Sequence, residues 1–253
     1  MHKIFAKPLF LGKKVVFLPQ CHSTNDELAA MVKNENPPEG TVIYTDSQLS
    51  GKGQRGNKWE ADPDKNILMS LLLKPKKLAV KNQYYLNLII GLAILDFLKE
   101  KLRSKDLRLK WPNDVYVNGQ KISGILVENS LKGTVIDSSI IGIGFNLNQE
   151  TFDIPNATSL FLESNQYCTK EEIMEDILQL IEYWYMKLSE GRFEDILSSY
   201  HDSLFWKDEI HTFQSDKEIL KGIIRGINEV GRLIIETTDG ELSFDVQEVR
   251  FVE

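Results

Sequence analysis

The chain has 253 residues, 42% hydrophobic and 26% charged, which allows one large domain plus a small one around a real core. Thirty basic against thirty-seven acidic side chains leave a net charge of −7, which disfavours a protein that wraps nucleic acid. The N-terminus lacks a signal-like apolar run, no stretch nears the roughly 18 apolar residues of a membrane span, and Cys21 and Cys168 have no disulfide-framework or CxxC spacing, so a cytoplasmic protein with reduced thiols is expected.

Val15 to Leu18 reads as a strand leading into Ser23-Thr24-Asn25-Asp26-Glu27, where Thr24 and Glu27 have capping-box spacing for a helix carrying Leu28, Met31 and Val32 on one face. Pro37-Pro38-Glu39-Gly40 ends it, and Thr41 to Asp46 alternates like a strand. After the glycine-rich Gly51–Trp59 stretch, Asn66 to Leu73 is a β-type run, and Tyr85, Leu88, Ile89, Leu92, Leu95 and Leu98 mark a long amphipathic helix. Leu107–Trp111, Asp114–Val117, Ile122–Glu128 and Thr134–Asn148 read as strands, with Asn118-Gly119 a hairpin turn. Gln149 to Ser159 reads as a mobile loop. Two further helices are expected, from Ile173 to Leu188 and from Phe193 to Phe205. From about Glu209 short strands alternate with turns at Gly222, Gly226, Gly231 and Asp239-Gly240, the texture of a small β-barrel-like domain.

Several segments could carry chemistry. Gly51, Gly53 and Gly56 match GxGxxG, but the loop runs into Trp59-Glu60-Ala61-Asp62-Pro63, no helix start, so a dinucleotide fold is not indicated. What remains is a loop with Lys52, Arg55 and Lys58, whose amides and cations suit an anion but equally suit a surface turn. Lys110-Trp111-Pro112-Asn113-Asp114 is a rigid strand-to-turn corner that brings a lysine and an aspartate near one place, or simply buries its tryptophan. Lys121 opens an apolar strand in which Gly124 makes room for a ligand or another backbone, and Gly142, Gly144 and Asn146 repeat that pattern. His2, His22, His201 and His211 have no metal-ligand spacing, so no protein metal site is expected.

Taken in order, Ser-Thr-Asn at 23–25, GKGQRGNKW at 51–59, KWPND at 110–114, KISGILVE at 121–128 and GIGFNLN at 142–148 resemble the biotin protein ligase (biotin–[acetyl-CoA-carboxylase] ligase) family. The resemblance runs from about Val15 onward, and the stretch around Gly222–Gly226 looks like that family's small C-terminal domain. It implies an α+β fold, a mixed sheet flanked by helices of the class II synthetase-like type. Residues 1–207 would be the catalytic domain and 208–253 an SH3-like barrel.

The implied reaction makes biotinyl-5′-AMP from biotin and ATP with Mg²⁺, then passes biotin to a lysine of a biotin carboxyl carrier domain. Both steps gather negative charge on phosphate oxygens, so fixed cations and backbone donors should dominate catalysis. By matching position, Ser23, Thr24, Asn25, Gln48, Lys52, Gly53, Gln54, Trp59, Lys121 and Gly124 would hold biotin. Lys52, Gln54, Arg55, Trp59, Lys110, Asn113, Lys121, Gly144 and Asn146 would hold the nucleotide. Lys121, Asp114 and Arg55 would be catalytic, with Asp114 orienting or deprotonating the incoming amine.

Some members carry an N-terminal winged-helix domain of roughly 60 residues; only 22 residues precede Ser23, so no DNA binding is expected. Members occur as monomers and dimers, which leaves a homodimer open. Rival readings are a lipoate ligase or octanoyl transferase of related fold, separable by competition with free biotin or lipoate, and a biotin sensor without ATP-dependent pyrophosphate release. Relatives often read GRGRxG where this chain has Lys52 and Gln54, which removes one permanent cation and leaves Arg55 to compensate. Arg55→Ala should therefore weaken adenylate formation more than Gln54→Ala does, and pyrophosphate exchange measures it; equal small effects would refute that division of labour.

Overall fold

Apolar runs that alternate at the rim of a sheet become continuous at its centre, where both faces are covered. The computed structural model describes residues 5–103, 105–216 and 218–252, except for the side chain of Arg55. Strand β1 (Val15–Cys21) leads into helix α1 (Thr24–Glu35) and returns as β2 (Val42–Gln48); β3 (Ile67–Leu73) is buried along its whole length. Helix α2 (Tyr85–Lys101) precedes four strands, β4 (Leu107–Lys110), β5 (Asp114–Val117), β6 (Gln120–Lys132) and β7 (Val135–Phe145). Helices α3 (Leu160–Ser164), α4 (Lys170–Ser189) and α5 (Phe193–Asp202) follow.

These seven strands form one mixed sheet in the order β1-β2-β3-β7-β6-β5-β4, parallel between β1 and β2 and antiparallel elsewhere. Helix α1 contacts β2, β3 and β7, whereas α2 contacts β4, β5 and β6 and is backed by α4 and α5. The core sits between α2 and the sheet, where Leu86, Ile89, Ile90, Ala93, Ile94 and Phe97 are wholly buried. The Asn118-Gly119 turn between β5 and β6 has positive φ at both residues (50° and 78°), as a tight primed turn requires.

Three expectations are corrected. The N-cap of α1 is Ser23, which makes no side-chain capping bond, and Thr24 is engaged with Gln48 and Ser70 instead, so the Thr24–Glu27 capping box does not form. The segment from Gln149 to Ser159 is pinned rather than loose. Both end residues are buried, Ser159 Oγ donates to the Gln149 carbonyl (2.6 Å), Lys121 N donates to Asn156 O (2.7 Å), and Thr158 N donates to Lys121 O (2.9 Å). Gly222 and Gly226, expected at turns, lie inside a strand. A Cβ on Gly222 would stand 2.5 Å from Ile235 Cγ2, and Gly226 has φ +143° where its strand crosses the imidazole of His201. Helix α3 was not anticipated, because five residues are too few to show a period.

The C-terminal strands β8 (Ile210–Ser215), β9 (Ile219–Ile227), β10 (Leu233–Thr237), β11 (Gly240–Phe244) and β12 (Val249–Phe251) form an antiparallel sheet, order β11-β10-β9-β8-β12. Its outer strands do not pair with each other among the described residues, so the ladder stays open rather than closing into a barrel. It docks on the larger sheet through specific polar contacts. Trp111 Nε1 donates to the Gly231 carbonyl (3.0 Å), and Ile227 N donates to His201 Nε2 (3.2 Å). Among the described residues no helix is long and apolar enough to cross a membrane.

His201 accepts that hydrogen bond only when neutral. Burial, and secondarily the charge of Lys207, hold its pKa below the ordinary 6.5, with Asp202 opposing. A group with a depressed folded pKa that must stay neutral contributes stability above its unfolded pKa and loses it as pH falls towards the folded one. The melting temperature is therefore expected to drop as pH falls below about 6.5, and His201→Gln, which keeps an acceptor oxygen but does not titrate, should flatten that part of the curve in thermal melts.

Candidate active site

One cavity of about 590 Å³ opens between the glycine-rich loop, the centre of the large sheet and the last C-terminal strand. Its floor is made by omission. Gly124 on β6 and Gly144 on β7 are cross-strand partners, and the indole of Trp59 lies where their side chains would be. A Cβ on Gly144 would stand 2.3 Å from Trp59 Cε2, and one on Gly124 would stand 2.8 Å from Cζ3. Gly142, one step along β7, makes the same room for Asn25, whose Oδ1 would be 2.6 Å from a Cβ there. The glycines of KISGILVE and GIGFNLN thus admit side chains of this protein to the face of the sheet.

The loop that delivers Trp59 is a folded hairpin. Trp59 N donates to Gly51 O (3.0 Å), Gly53 N donates to Asn57 O (2.7 Å), and a 3-10 turn spans Gln54–Gly56. Gly51 is needed because a Cβ would meet the Trp59 carbonyl oxygen at 2.4 Å. Lys52 Nζ is paired with Asp26 Oδ1 at 2.5 Å, and that bond raises the lysine's pKa. Arg55, expected in catalysis and nucleotide binding, has its side chain outside the described residues.

At one end of the cavity the polar groups of α1, β2 and β3 bond one another. Gln48 Oε1 accepts from Thr24 N (2.8 Å) and lies 3.3 Å from Thr24 Oγ1, while Ser70 Oγ lies 2.7 Å from Thr24 Oγ1 and 2.5 Å from Asn25 Oδ1. Ser23, Thr24, Asn25 and Ser70 are buried. On the β5–β6 side Lys121 Nζ stands 2.7 Å from Asp114 Oδ1 and 5.4 Å from the centroid of the Trp59 ring. The ion pair is close but outside hydrogen-bond geometry, so Asp114 Oδ1 and the Trp59 indole nitrogen are both buried polar atoms without a hydrogen-bond partner in the structure. Asn113 Nδ2 donates to the Ile125 carbonyl at 2.6 Å, which fixes the corner that carries Asp114.

The structure brings Ser23, Thr24, Asn25, Gln48, Lys52, Gly53, Gln54, Trp59, Asn113, Asp114, Lys121, Gly124 and Gly144 to this cavity. Two expected residues are not on its wall. Lys110 Nζ bonds Tyr116 Oη (3.1 Å) and sits over the rings of Tyr116, Phe205 and Phe251 at 4.8, 5.6 and 4.9 Å. Its charge is spent on joining the two sheets. Asn146 is buried and donates to the Thr158 carbonyl (2.9 Å), which ties down the segment after β7. Conversely, Gln247 and Arg250 from the C-terminal sheet line the cavity, and nothing in the local pattern of that segment marks them. Four described cations (Lys52, Lys58, Lys121, Arg250) and one carboxylate (Asp114) face the space. Such a set can stabilise oxyanions and accept one proton.

The chain is similar to known proteins in sequence and in fold. The sequence profile described as the biotin/lipoate A/B protein ligase family matches residues 17–146. The bifunctional ligase/repressor BirA of Bacillus spizizenii is 30% identical over 241 residues, 91% of this chain and 71% of that protein. A biotin–[acetyl-CoA-carboxylase] ligase of Paracoccus denitrificans is 29% identical over 83% of this chain and 89% of its own length. Among solved structures, the biotin protein ligase of Aquifex aeolicus in complex with biotin and ATP superposes with a TM-score of 0.79 at 28% identity, covering 95% of this chain and all of that one.

The Trp59 seat gives a direct test of the cavity floor. Gly144→Ala should destabilise the protein by about 1–3 kcal/mol through overpacking, and Trp59→Ala in the same chain should remove most of that penalty; chemical denaturation of the single and double variants checks it.

The profile match over half the chain and the BirA similarity across most of it make this chain a member of the biotin/lipoate A/B protein ligase family.

Proposed function

We propose that the chain is an ATP-dependent biotin protein ligase, forming biotinyl-5′-AMP and transferring the biotinyl group to a lysine of a biotin carboxyl carrier domain. The observation that carries this reading is the single cavity in which a polar end built on Ser23–Asn25 and Gln48, an indole wall and the Lys121–Asp114 pair face one another. A ureido head needs paired donors and acceptors, an apolar ring and chain need the indole, and a mixed anhydride needs a cation beside a carboxylate. The relatives named above bear ligase names, and the Aquifex structure holds biotin and ATP.

In this reading Ser23, Thr24, Asn25 and Gln48 hold the ureido group. The Gln48 amide is oriented by Thr24, whose backbone N–H can only donate, so Oε1 faces Thr24 and Nε2 is left as a donor. Trp59 walls the ring and valeryl chain across Gly124 and Gly144. Biotin's carboxylate attacks the α-phosphorus, and pyrophosphate departs. The Lys121 ammonium neutralises charge on the carboxylate and then on the phosphoryl oxygens, and Lys52, Gly53, Gln54, Asn113 and Arg250 face the phosphates. In the second half-reaction the carrier amine attacks the acyl carbonyl and AMP leaves. Asp114 Oδ1, buried and without a hydrogen bond, takes the proton from the incoming amine.

Among the described residues no three His, Cys, Asp or Glu side chains cluster as a metal cage. In this reading magnesium enters with ATP, on the triphosphate's own oxygens, as part of the substrate. Residues 1–207 make the ligase unit and 208–253 a small accessory domain that closes one side of the cavity, in a protein working in the cytoplasm.

Incubating the protein with ATP, magnesium, biotin and a carrier domain, then weighing the carrier by mass spectrometry, tests the proposal. The expected result is a gain of one biotinyl group, with Lys121→Ala and Asp114→Ala each slowing transfer by about 100-fold or more. An unmodified carrier, or modification by lipoate in preference to biotin, would overturn it.

A further inference from the structure

Glu128 is exposed on β6 and is not among the residues lining the cavity, yet its carboxylate reaches the buried head of the site. It continues the row Gly124, Leu126 on the face that carries Trp59 and Asn25, opposite Ile140 on β7. Asn25, only 2% exposed, donates from Nδ2 to Glu128 Oε2 at 2.6 Å. An ionised carboxylate can only accept, so this bond decides which way the Asn25 amide faces. Nδ2 must point to Glu128, and Oδ1 must point to Ser70, which lies 2.5 Å away with a hydroxyl to donate.

The consequence propagates along the chain of bonds. Ser70 has one hydrogen and two acceptors within reach, Asn25 Oδ1 and Thr24 Oγ1. With that hydrogen given to Asn25 Oδ1, Ser70 Oγ is left as an acceptor, and the Thr24 hydroxyl donates to it. Glu128 therefore anchors a relay, Glu128–Asn25–Ser70–Thr24, in which each donor and acceptor direction follows from the one before, while Gln48 is held separately by the Thr24 N–H. Were the Asn25 amide to flip, its oxygen would meet the carboxylate, an acceptor against an acceptor, and the Ser70 hydroxyl would have to turn its hydrogen to Thr24. Gly142 leaves no side chain to hold Asn25 sterically, since Asn25 itself fills that space. The orientation is held by the hydrogen bonds alone.

Resting on the ligase reading above, we infer that Glu128 is a positioning residue for biotin recognition, fixing through Asn25 the donor and acceptor pattern that the pocket offers to the ureido head. It does not line the cavity and reaches Lys52 only through its charge, so its effect falls mainly on biotin.

Biotin-dependent ATP–pyrophosphate exchange tests this in the full-length protein. Wild type must first show exchange; its absence would count against the ligase reading itself, not against the role of Glu128. Given exchange, Glu128→Ala should raise the KM for biotin about five- to tenfold, with kcat and the KM for ATP within about twofold of wild type. Glu128→Gln, which keeps an acceptor oxygen, should recover most of that loss. The decisive arm is an exchange of partners. Asn25→Asp sets two carboxylates face to face and should cost about twentyfold or more in biotin KM, whereas Asn25→Asp with Glu128→Gln, in which the new amide donates to the new carboxylate, should regain at least about fivefold of it. The inference is overturned if Glu128→Ala leaves the biotin KM unchanged, raises both KM values alike, or if the double variant shows no recovery, which would mean that Glu128 acts on something other than Asn25. Should Asn25→Asp fail to fold in a thermal melt, the Glu128→Ala and Glu128→Gln pair decides by the same KM criterion.

Discussion

A side chain cannot lie flat on the middle of a β-sheet unless the strands beneath give up theirs, and this protein depends on that exchange. Gly124 and Gly144 face each other across β6 and β7 and surrender their space to the Trp59 ring, while Gly142 surrenders its space to Asn25. The indole then separates the polar head of the cavity from the charged Lys121–Asp114 end. One glycine pair therefore sets the depth of the pocket and the distance between its two chemistries. It also ties the 51–59 hairpin to the sheet, since that hairpin is closed by the Trp59 backbone itself.

The charged end is built to be unsatisfied by the protein alone. Asp114 Oδ1 and the Trp59 N–H are buried without hydrogen bonds, a cost that a fold accepts where a ligand or a reacting proton supplies the missing partner. Away from the site Asn87 Oδ1 and Tyr200 Oη are also buried without a partner, but the segments that frame the cavity are closely matched. Glu182, buried in α4, accepts from the amides of Leu9, Phe10 and Leu11, and Asn146 and Ser159 fasten the segment after β7. The Lys121–Asp114 ion pair, whose carboxylate oxygen makes no hydrogen bond, marks the reactive end against that fastened frame.

Much of this was legible in the sequence where the signal is local. The apolar period of Tyr85–Leu98 gave the central helix, Asn118-Gly119 gave its hairpin, and the ordered motifs gave the family, the fold class and most of the pocket wall. What stayed hidden was set by contacts between distant residues. Ser70 and Glu128 join the Asn25 network from 45 and 103 positions away, and no spacing rule reports such a meeting. Lys110 reads as a nucleotide ligand in KWPND because its cage of Tyr116, Phe205 and Phe251 is assembled from three separate parts of the chain. Gly222 and Gly226 read as turns because glycine is the usual turn residue. In β9 they are instead points where Ile235 and His201 press on the strand.

The distribution of charge has a kinetic consequence. The chain as a whole is acidic, but the cavity is lined by four described cations and a single carboxylate. An anion drawn to this mouth meets a local cationic excess on a chain that is acidic as a whole. The field thus orients anions before contact, and because such guidance is screened within about 8 Å at physiological ionic strength, capture rather than turnover is the step that added salt slows.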